Sequence, residues 1–198
     1  MGQHRSVIIE DPPLARYLFS DTRIAWLWLL ARLWLGWAWL EAGLHKVTDP
    51  AWMAGGEAVR SFWERALQAS ATGRPVIAVD WYRVFIQALY DAHAWTWMAP
   101  LIAWAEVLIG IALILGLFTG IAAFGGSLLN WSFAMAGTAS TNMLMFSVSV
   151  LLILAWKTAG WYGLDRWVLP LVGTPWQAGR IRILRPGAPT GVSAARQL

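Results

Sequence analysis

Residues 31–46 read ARLWLGWAWLEAGLHK, a run of Leu and Trp that is interrupted by an arginine, a glutamate and a lysine. On a helix that turns by about 100° per residue, one narrow stripe collects several of these residues. The stripe contains Arg32, Gly36, Trp39, Gly43 and Lys46. Glu41 points to the opposite side. Because glycines let a second helix approach closely, the segment predicts a membrane-spanning helix whose charged stripe faces protein.

The composition of the whole chain supports a membrane protein. Of 198 residues, 58% are hydrophobic and 13% are charged, and 16 are Trp, which is far from the average of soluble domains. The sequence has no cysteine, which excludes disulfides and thiolate-bound metals or clusters. A redox role would therefore need an electron carrier from elsewhere. The net charge of +4 favours anionic lipid headgroups as partners, and no nucleic-acid recognition motif is present.

Four stretches approach the roughly 20 apolar residues that cross a bilayer core of about 30 Å. We place these spans at about 24–44, 98–118, 121–137 and 142–159. Pro100 suits the first turn of the second span, and Asn142 suits the N-cap of the fourth. The sequence thus predicts an all-α membrane protein, a four-transmembrane-helix bundle that forms a single integral membrane domain over residues 1–198.

The distribution of basic residues predicts the orientation of this domain. Four spans place both termini on one side, and the terminal segments with the end of the fourth span hold nine Lys and Arg, against five in the loop 45–97. Basic residues concentrate on the cytoplasmic side. We therefore expect a multi-pass protein of the cell (inner or plasma) membrane with both termini in the cytoplasm, where the basic tail 174–198 would lie.

The loop 45–97 contains two amphipathic segments, EAVRSFWERAL at 57–67 and DWYRVFIQALYDA at 80–92. The predicted apolar face of the first consists of Val59, Phe62, Trp63, Ala66 and Leu67. That of the second consists of Trp81, Val84, Phe85, Ala88 and Leu89. Such helices lie in membrane interfaces. They predict an outer cap over the ends of the spans; the alternative is that both rest on lipid with no site beneath them.

Charged and polar residues within the spans are the first site candidates. Arg32 and Glu106 each lie nine residues into a predicted span, near its middle, and Asn130 is at a comparable depth in the third. A lone charge at the bilayer centre costs roughly 2.5 to 3.5 kcal/mol on the insertion scale, so we predict an Arg32 to Glu106 ion pair. This polar centre would either hold helices together or form a pocket for a quinone headgroup, an anionic substrate or a proton path.

Two histidines flank the outer ends of the first two spans. His45 ends the first span and His93 precedes the second, so we expect them on the same side, where they would approach each other. Two imidazoles can exchange protons near neutral pH. Without suitably spaced carboxylates they do not form a metal-site pattern, so no metal is predicted.

Three segments, RLWLGWAWLEAGLHKVTDP, WAEVLIGIALILGLFTGIAAFGGSLLN and GWYGLD, together resemble the DoxX/DoxD family of small four-helix membrane proteins. The residues that match its pattern are Arg32, Gly36, Gly43, Lys46, Glu106, Gly110, Gly116 and Asp165. Gly120 stands where the family usually has a basic residue. The long loop with its two amphipathic segments is closer to the DoxD branch.

The resemblance implies a membrane subunit of a quinone-linked oxidoreductase. DoxD-type proteins are associated with thiosulfate:quinone oxidoreductase, which converts thiosulfate to tetrathionate and works with a DoxA partner subunit. On this reading, quinone is the bound electron acceptor, and Glu106 would move protons. Arg32, or Lys46 with His45 at the rim, would hold an anion; Asn130 and His93 are further substrate-binding candidates.

Two other functions remain open. The first is a noncatalytic assembly or scaffold subunit of a larger, respiratory-type membrane complex. The second is a small-solute or lipid transporter, which a polar centre favours but the absence of clear sequence repeats disfavours.

Overall fold

The computed structural model describes residues 11–68, 75–138 and 140–172; the predicted tail at 174–198 lies outside them. The chain begins with α1 (Pro13–Ser20), a 3-10 turn (Thr22–Ile24) and the long α2 (Ala25–Thr48). The loop then forms α3 (Pro50–Met53), α4 (Glu57–Leu67) and α5 (Asp80–Asp91). The remaining helices are α6 (Trp95–Leu115), α7 (Thr119–Met135), α8 (Ser140–Leu154), α9 (Trp156–Ala159) and α10 (Asp165–Val168), before a 3-10 turn (Leu169–Val172).

Four helices, α2, α6, α7 and α8, form the body of the protein. Helix α2 packs on α6 and α8, and α7 packs on α6 and α8. The predicted all-α class is confirmed, because the elements in the described ranges are α-helices and 3-10 turns. Within the described ranges, α6 is the one helix whose length and apolar composition suffice to cross a membrane, and residues Thr141–Leu154 of α8 are a shorter apolar helix.

Two predicted helix starts and one predicted end are wrong. Helix α6 begins at Trp95, so Pro100 lies inside the helix, where it costs one backbone hydrogen bond. Asn142 is inside α8 and is not its N-cap; its side-chain nitrogen lies 3.4 Å from the Thr138 carbonyl oxygen. The fourth span is interrupted, because α8 ends at Leu154 and α9 starts after Ala155.

Several polar side chains lie in the interior beside the apolar core, and many large apolar side chains lie on the outside. Several polar or charged residues are buried, namely Arg32, Glu106, Asn130, Ser149, Thr158 and Asp165. Large exposed apolar residues include Trp37, Trp104, Leu108, Ile121 and Phe124. A soluble monomer rarely exposes so much contiguous apolar surface. This distribution is typical of a protein whose outer surface contacts lipid.

Glycines set the close packing of α2 against α6. A Cβ added at Gly43 would lie 2.6 Å from the Val107 amide nitrogen, and one at Gly110 would lie 2.5 Å from the Leu40 amide nitrogen. Neither position accepts a larger residue without separating the backbones. The predicted inward stripe of α2 is confirmed, because Arg32 and both of its glycines are buried while Glu41 is exposed.

Gly110→Ala should lower the stability of the protein, whereas Gly125→Ala should not. A Cβ at Gly125 would meet only the Ile109 side chain, 3.5 Å away, so the two substitutions share the same gain in helix propensity and differ in overpacking. We expect Gly110→Ala to cost about 1–3 kcal/mol, measured as thermal unfolding in detergent by circular dichroism. Equal melting temperatures for the two variants would contradict this account of the helix contact.

The loop between α2 and α6 forms a cap, in which α4 and α5 occupy the two predicted amphipathic segments. Helix α4 buries Val59, Trp63 and Ala66, in agreement with the sequence pattern. Helix α5 buries a different face, that of Tyr82 and Ile86, and leaves most of its predicted apolar face exposed, so it is rotated about its axis relative to a helix that packs that apolar face on the protein. Tertiary contacts decide this rotation, since the Tyr82 hydroxyl donates a 2.9 Å hydrogen bond to the carbonyl oxygen of Ser132 on α7.

Polar contacts fix the cap to the body. The Tyr90 hydroxyl on α5 donates to the Glu64 carboxylate on α4 at 2.5 Å, and Arg60 binds the same carboxylate at 3.1 Å. The Arg60 guanidinium also lies over the Trp95 ring of α6, 5.6 Å from its centroid. The hydrogen bond from Tyr90 is the main cause that holds the pKa of Glu64 below its ordinary value, so this carboxylate is ionised at neutral pH.

Candidate functional site

A buried ion pair joins the C-terminal end of α2 to the middle of α6. The Lys46 ammonium lies 2.5 Å from Glu106 Oε2; the Lys46 side chain is 20% exposed, whereas Glu106 is buried. The close contact of Gly43 with Val107 produces this pairing. In antiparallel helices, a residue one turn beyond Gly43 faces the residues just before Val107, so Lys46 reaches Glu106.

The predicted Arg32 to Glu106 ion pair is wrong. Gly36 of α2 lies against Ile114, near the C-terminal end of α6. Arg32, one turn earlier in α2, therefore lies beyond the last residues of α6, far along the helix from Glu106. Antiparallel helices run in opposite directions, so equal distances from their two starts do not by themselves give equal depth. The depth of each residue depends on the true helix starts and on the register of the contact, and the sequence defines neither.

Arg32 instead binds the C-terminal end of α6. Its guanidinium donates to the carbonyl oxygens of Leu113 at 2.9 Å and Ile114 at 3.4 Å, and to that of Tyr162 at 3.2 Å. The last carbonyls of a helix lack partners within the helix and carry partial negative charge. The positive φ of 66° at Gly116 ends α6 here, and a side chain at Gly116 would overlap the guanidinium.

Asp165 performs the matching role at the start of α7. Its carboxylate accepts hydrogen bonds from the Phe118 amide at 2.5 Å and the Thr119 amide at 2.9 Å, where the first amides of a helix attract negative charge. Its own amide donates to the Gly116 carbonyl oxygen at 2.8 Å. Arg32 and Asp165 thus hold the turn between α6 and α7 from both sides. The family resemblance pointed to Asp165, but its contacts needed the structure.

A cavity lies beneath the cap and reaches Lys46. It has a volume of about 580 Å³ and lies between α4, α5, the N-terminal half of α6, the C-terminal half of α7 and the start of α8. Its lining is rich in aromatic rings, those of Trp52, Phe62, Trp63, Tyr82, Phe85 and Phe133. Lys46, Ser132 and Asn142 supply polar atoms, and Arg65 lies at its edge. The sequence alone did not reveal that these loop and span residues share one cavity.

Tyr82 contributes a protonated phenol to this cavity wall. Burial raises the pKa of the Tyr82 hydroxyl above its ordinary value, so the group remains a donor across the physiological pH range. Its proton is used in the bond to Ser132, which leaves the ring to face the cavity.

Several buried polar atoms of α2, α6 and α7 have no protein partner within the described residues. They include Glu106 Oε1, both polar atoms of the Asn130 side chain and the indole nitrogen of Trp39. A Cβ added at Gly126 would lie 2.8 Å from that nitrogen, so Gly126 of α7 and Trp39 of α2 lie at the same level. One turn further along these two helices are Asn130 and Gly43, and Gly43 contacts Val107, the neighbour of Glu106. Asn130 and Glu106 therefore lie at the same level, as predicted. Since buried polar atoms are normally bonded, this level can accept a ligand atom, water or a proton.

The two histidines are exposed and are not among these buried groups. His45 lines a shallow surface pocket with Lys46, Asp49 and Trp52. His93 has a φ of 54°, and its ring packs on Trp95 with centroids 4.8 Å apart. In the part of the chain that the structure describes, no hydrogen bond or ring contact joins the two imidazoles, and no group of three or more His, Asp or Glu is placed to hold a metal ion.

Comparison with known proteins gives one match. The DoxX family model matches residues 27–139, which include α2, the cap, α6 and α7. No curated protein and no solved structure shows a significant match to the chain.

Proposed function

Since this chain belongs to the DoxX family of membrane-associated proteins, we propose that it is the membrane subunit of a quinone-linked oxidoreductase. Helices α2, α6, α7 and α8 would cross the cell membrane as a four-helix bundle. Both termini would lie in the cytoplasm, which follows from the bias of basic residues. The cap and its cavity then lie on the outer side of the membrane.

The cavity beneath the cap is the observation that carries this proposal. A quinone has a flat ring, two carbonyl oxygens and an apolar tail. The aromatic lining offers rings on which that headgroup can stack, and a volume of about 580 Å³ is ordinary for a ligand of this size. Lys46 offers a charged donor to one carbonyl oxygen. The residues present therefore fit the group.

Lys46 lines the cavity, and its ion pair with Glu106 would supply the proton chemistry. A bound quinone takes up two electrons and two protons when it is reduced to quinol. The Lys46 ammonium is positioned to donate a hydrogen bond toward the cavity while Glu106 Oε2 holds it. The second Glu106 oxygen, Oε1, has no partner among the described residues and would exchange the proton, with Asn130 at the same level to orient it. Arg32 lies elsewhere, so we assign it a positioning role.

The specific reaction that we propose is thiosulfate:quinone oxidoreduction. Two thiosulfate ions form one tetrathionate and release two electrons, and one quinone takes up these electrons with two protons to form quinol. Because the chain has no cysteine, the electrons would pass through a second, DoxA-like subunit or a larger respiratory-type complex. The surface pocket with His45 and Lys46 would hold the anion at the outer rim; His93 lies on the same side.

Filling the cavity should weaken quinone binding. Ala58 lines the cavity, whereas Ala54 is exposed, so Ala58→Phe and Ala54→Phe make a matched pair. We expect Ala58→Phe to weaken binding of a short-chain ubiquinone analogue at least about tenfold, equivalent to about 1.4 kcal/mol, and Ala54→Phe to leave it unchanged. Titration calorimetry in detergent measures both. Absence of quinone binding by the unmodified protein would reject the proposed function.

A noncatalytic assembly subunit is the second candidate. The described contacts of Arg32 and Asp165 are with backbone groups that join the helix ends, as expected of a scaffold. Turnover of thiosulfate and quinone by the assembled complex distinguishes the two functions. If Lys46→Met with Glu106→Gln leaves the turnover of the complex intact, the scaffold function is favoured.

A further inference from the structure

Helix α5 presents three separate sectors around its axis. With about 100° of rotation per residue, the sector that packs on the protein holds Tyr82, Ile86 and Leu89. A second sector, apolar and exposed, holds Trp81, Val84, Phe85 and Ala88. A third sector, polar and exposed, holds Asp80, Arg83, Gln87 and Asp91. A helix on a water-exposed surface needs only two sectors, one apolar and buried and one polar.

The exposed apolar sector is large. Trp81 is 60% exposed, Val84 65% and Phe85 49%, although the helix already buries an apolar face against the body. These side chains would order water unfavourably if they faced it. The alternation of an apolar and a polar sector on the outer side is what a helix requires when it lies at the boundary between hydrocarbon and water.

The apolar sector continues into the outer face of α7. The rings of Trp81 and Trp131 stack with centroids 6.1 Å apart, and Trp131 is followed toward the centre of α7 by exposed Leu128 and Phe124. That face of α7 contacts lipid if the four helices cross the membrane as proposed. The outer surface of α5 is therefore one continuous apolar surface with it, and Trp is the residue most typical of the membrane interface.

We infer that α5 lies in the outer leaflet, with its Trp81, Val84 and Phe85 sector against lipid and its Arg83 and Gln87 sector toward headgroups and water. Phe85 also lines the cavity beneath the cap, so the cavity opens sideways into the membrane beside this ring. This second part rests on the proposed function, because a lateral opening would admit a lipid-soluble quinone with its tail. The docking of α5 in lipid does not depend on it.

Single spin labels test the docking of α5, and the absence of native cysteine makes each label unique. Val84→Cys is compared with Gln87→Cys on the polar sector of the same helix, in nanodiscs of phosphatidylcholine and phosphatidylglycerol. We expect oxygen accessibility, relative to that of a water-soluble nickel complex, to be several-fold higher at position 84 than at position 87. Equal values at both positions would overturn the inference.

Two further results would also decide the matter. A disulfide-linked dimer of Val84→Cys that forms in nanodiscs would overturn lipid docking and indicate a second copy on this surface.

For the lateral opening, a bulky maleimide on Phe85→Cys should slow binding of a long-tailed ubiquinone several-fold, and the same reagent on Gln87→Cys should not. If the labels report lipid but the unmodified protein binds no quinone, the proposed function fails and the docking stands.

Discussion

Lys46→Met should destabilise the protein by about 3–5 kcal/mol, because it leaves the Glu106 carboxylate buried without its cation. Glu106 is fully buried, and Lys46 is its ion-pair partner. The double variant Lys46→Met with Glu106→Gln removes both charges and should recover most of this loss. Chemical unfolding in detergent measures the two free energies of unfolding.

Quinone binding should respond differently from stability in these variants. The double variant should be folded and yet bind a short-chain ubiquinone analogue at least about tenfold more weakly, because the cavity has lost its charged donor. If the double variant binds the analogue as tightly as the unmodified protein, the ion pair is outside the quinone site. If it stays as unstable as Lys46→Met, the pair contributes to stability by packing and not by charge.

Arg32→Gln should cause the second large loss of stability. The guanidinium donates to three backbone carbonyl oxygens, and hydrogen bonds that involve a charged group contribute about 1.5–3 kcal/mol each. We expect a loss of at least about 3 kcal/mol, since an amide replaces only part of the contacts. Arg23→Gln is the matched control, because Arg23 lies on the surface with its side chain 78% exposed, where it pairs with Asp21 and lies over the Tyr17 ring.

Ligand binding separates a positioning role of Arg32 from a catalytic one. In the fraction of Arg32→Gln that remains folded, quinone affinity should be unchanged, because Arg32 lies at the opposite end of α2 from Lys46. A folded Arg32→Gln protein that has lost quinone binding would contradict the positioning role. Asp165→Asn should lower the melting temperature in the same way as Arg32→Gln, since both residues hold the same turn.

Much of the fold was accessible from local patterns. The amphipathic spacing at 57–67 predicted α4 and its buried face. The stripe through Arg32 and Gly43 predicted which side of α2 faces protein. These predictions succeeded because the face on which a helical residue lies is set by its spacing from residues a few positions away. The same short spacing places the glycines on one face with their neighbours.

Predictions that needed two elements at once were less successful. Apolar spacing predicted one apolar face of α5, which is exposed, but did not reveal that a second sector with Tyr82 and Ile86 packs on the protein through contacts with α7. The partner of Glu106 was assigned from depth in predicted spans. With a rise of about 1.5 Å per residue, an error of a few residues in a helix start moves a side chain by a full turn.

The sequence by itself determined that this protein is helical, that its outer surface is apolar, and that Arg32, Lys46 and Glu106 belong to the interior. Only the tertiary structure decided which charges meet. The close contacts of Gly36 and Gly43 with α6 set the antiparallel register, and this register places Lys46 on Glu106 and Arg32 on the end of α6. Charge pairing depends on that register, which is a property of two packed helices and is not encoded in the spacing of either one.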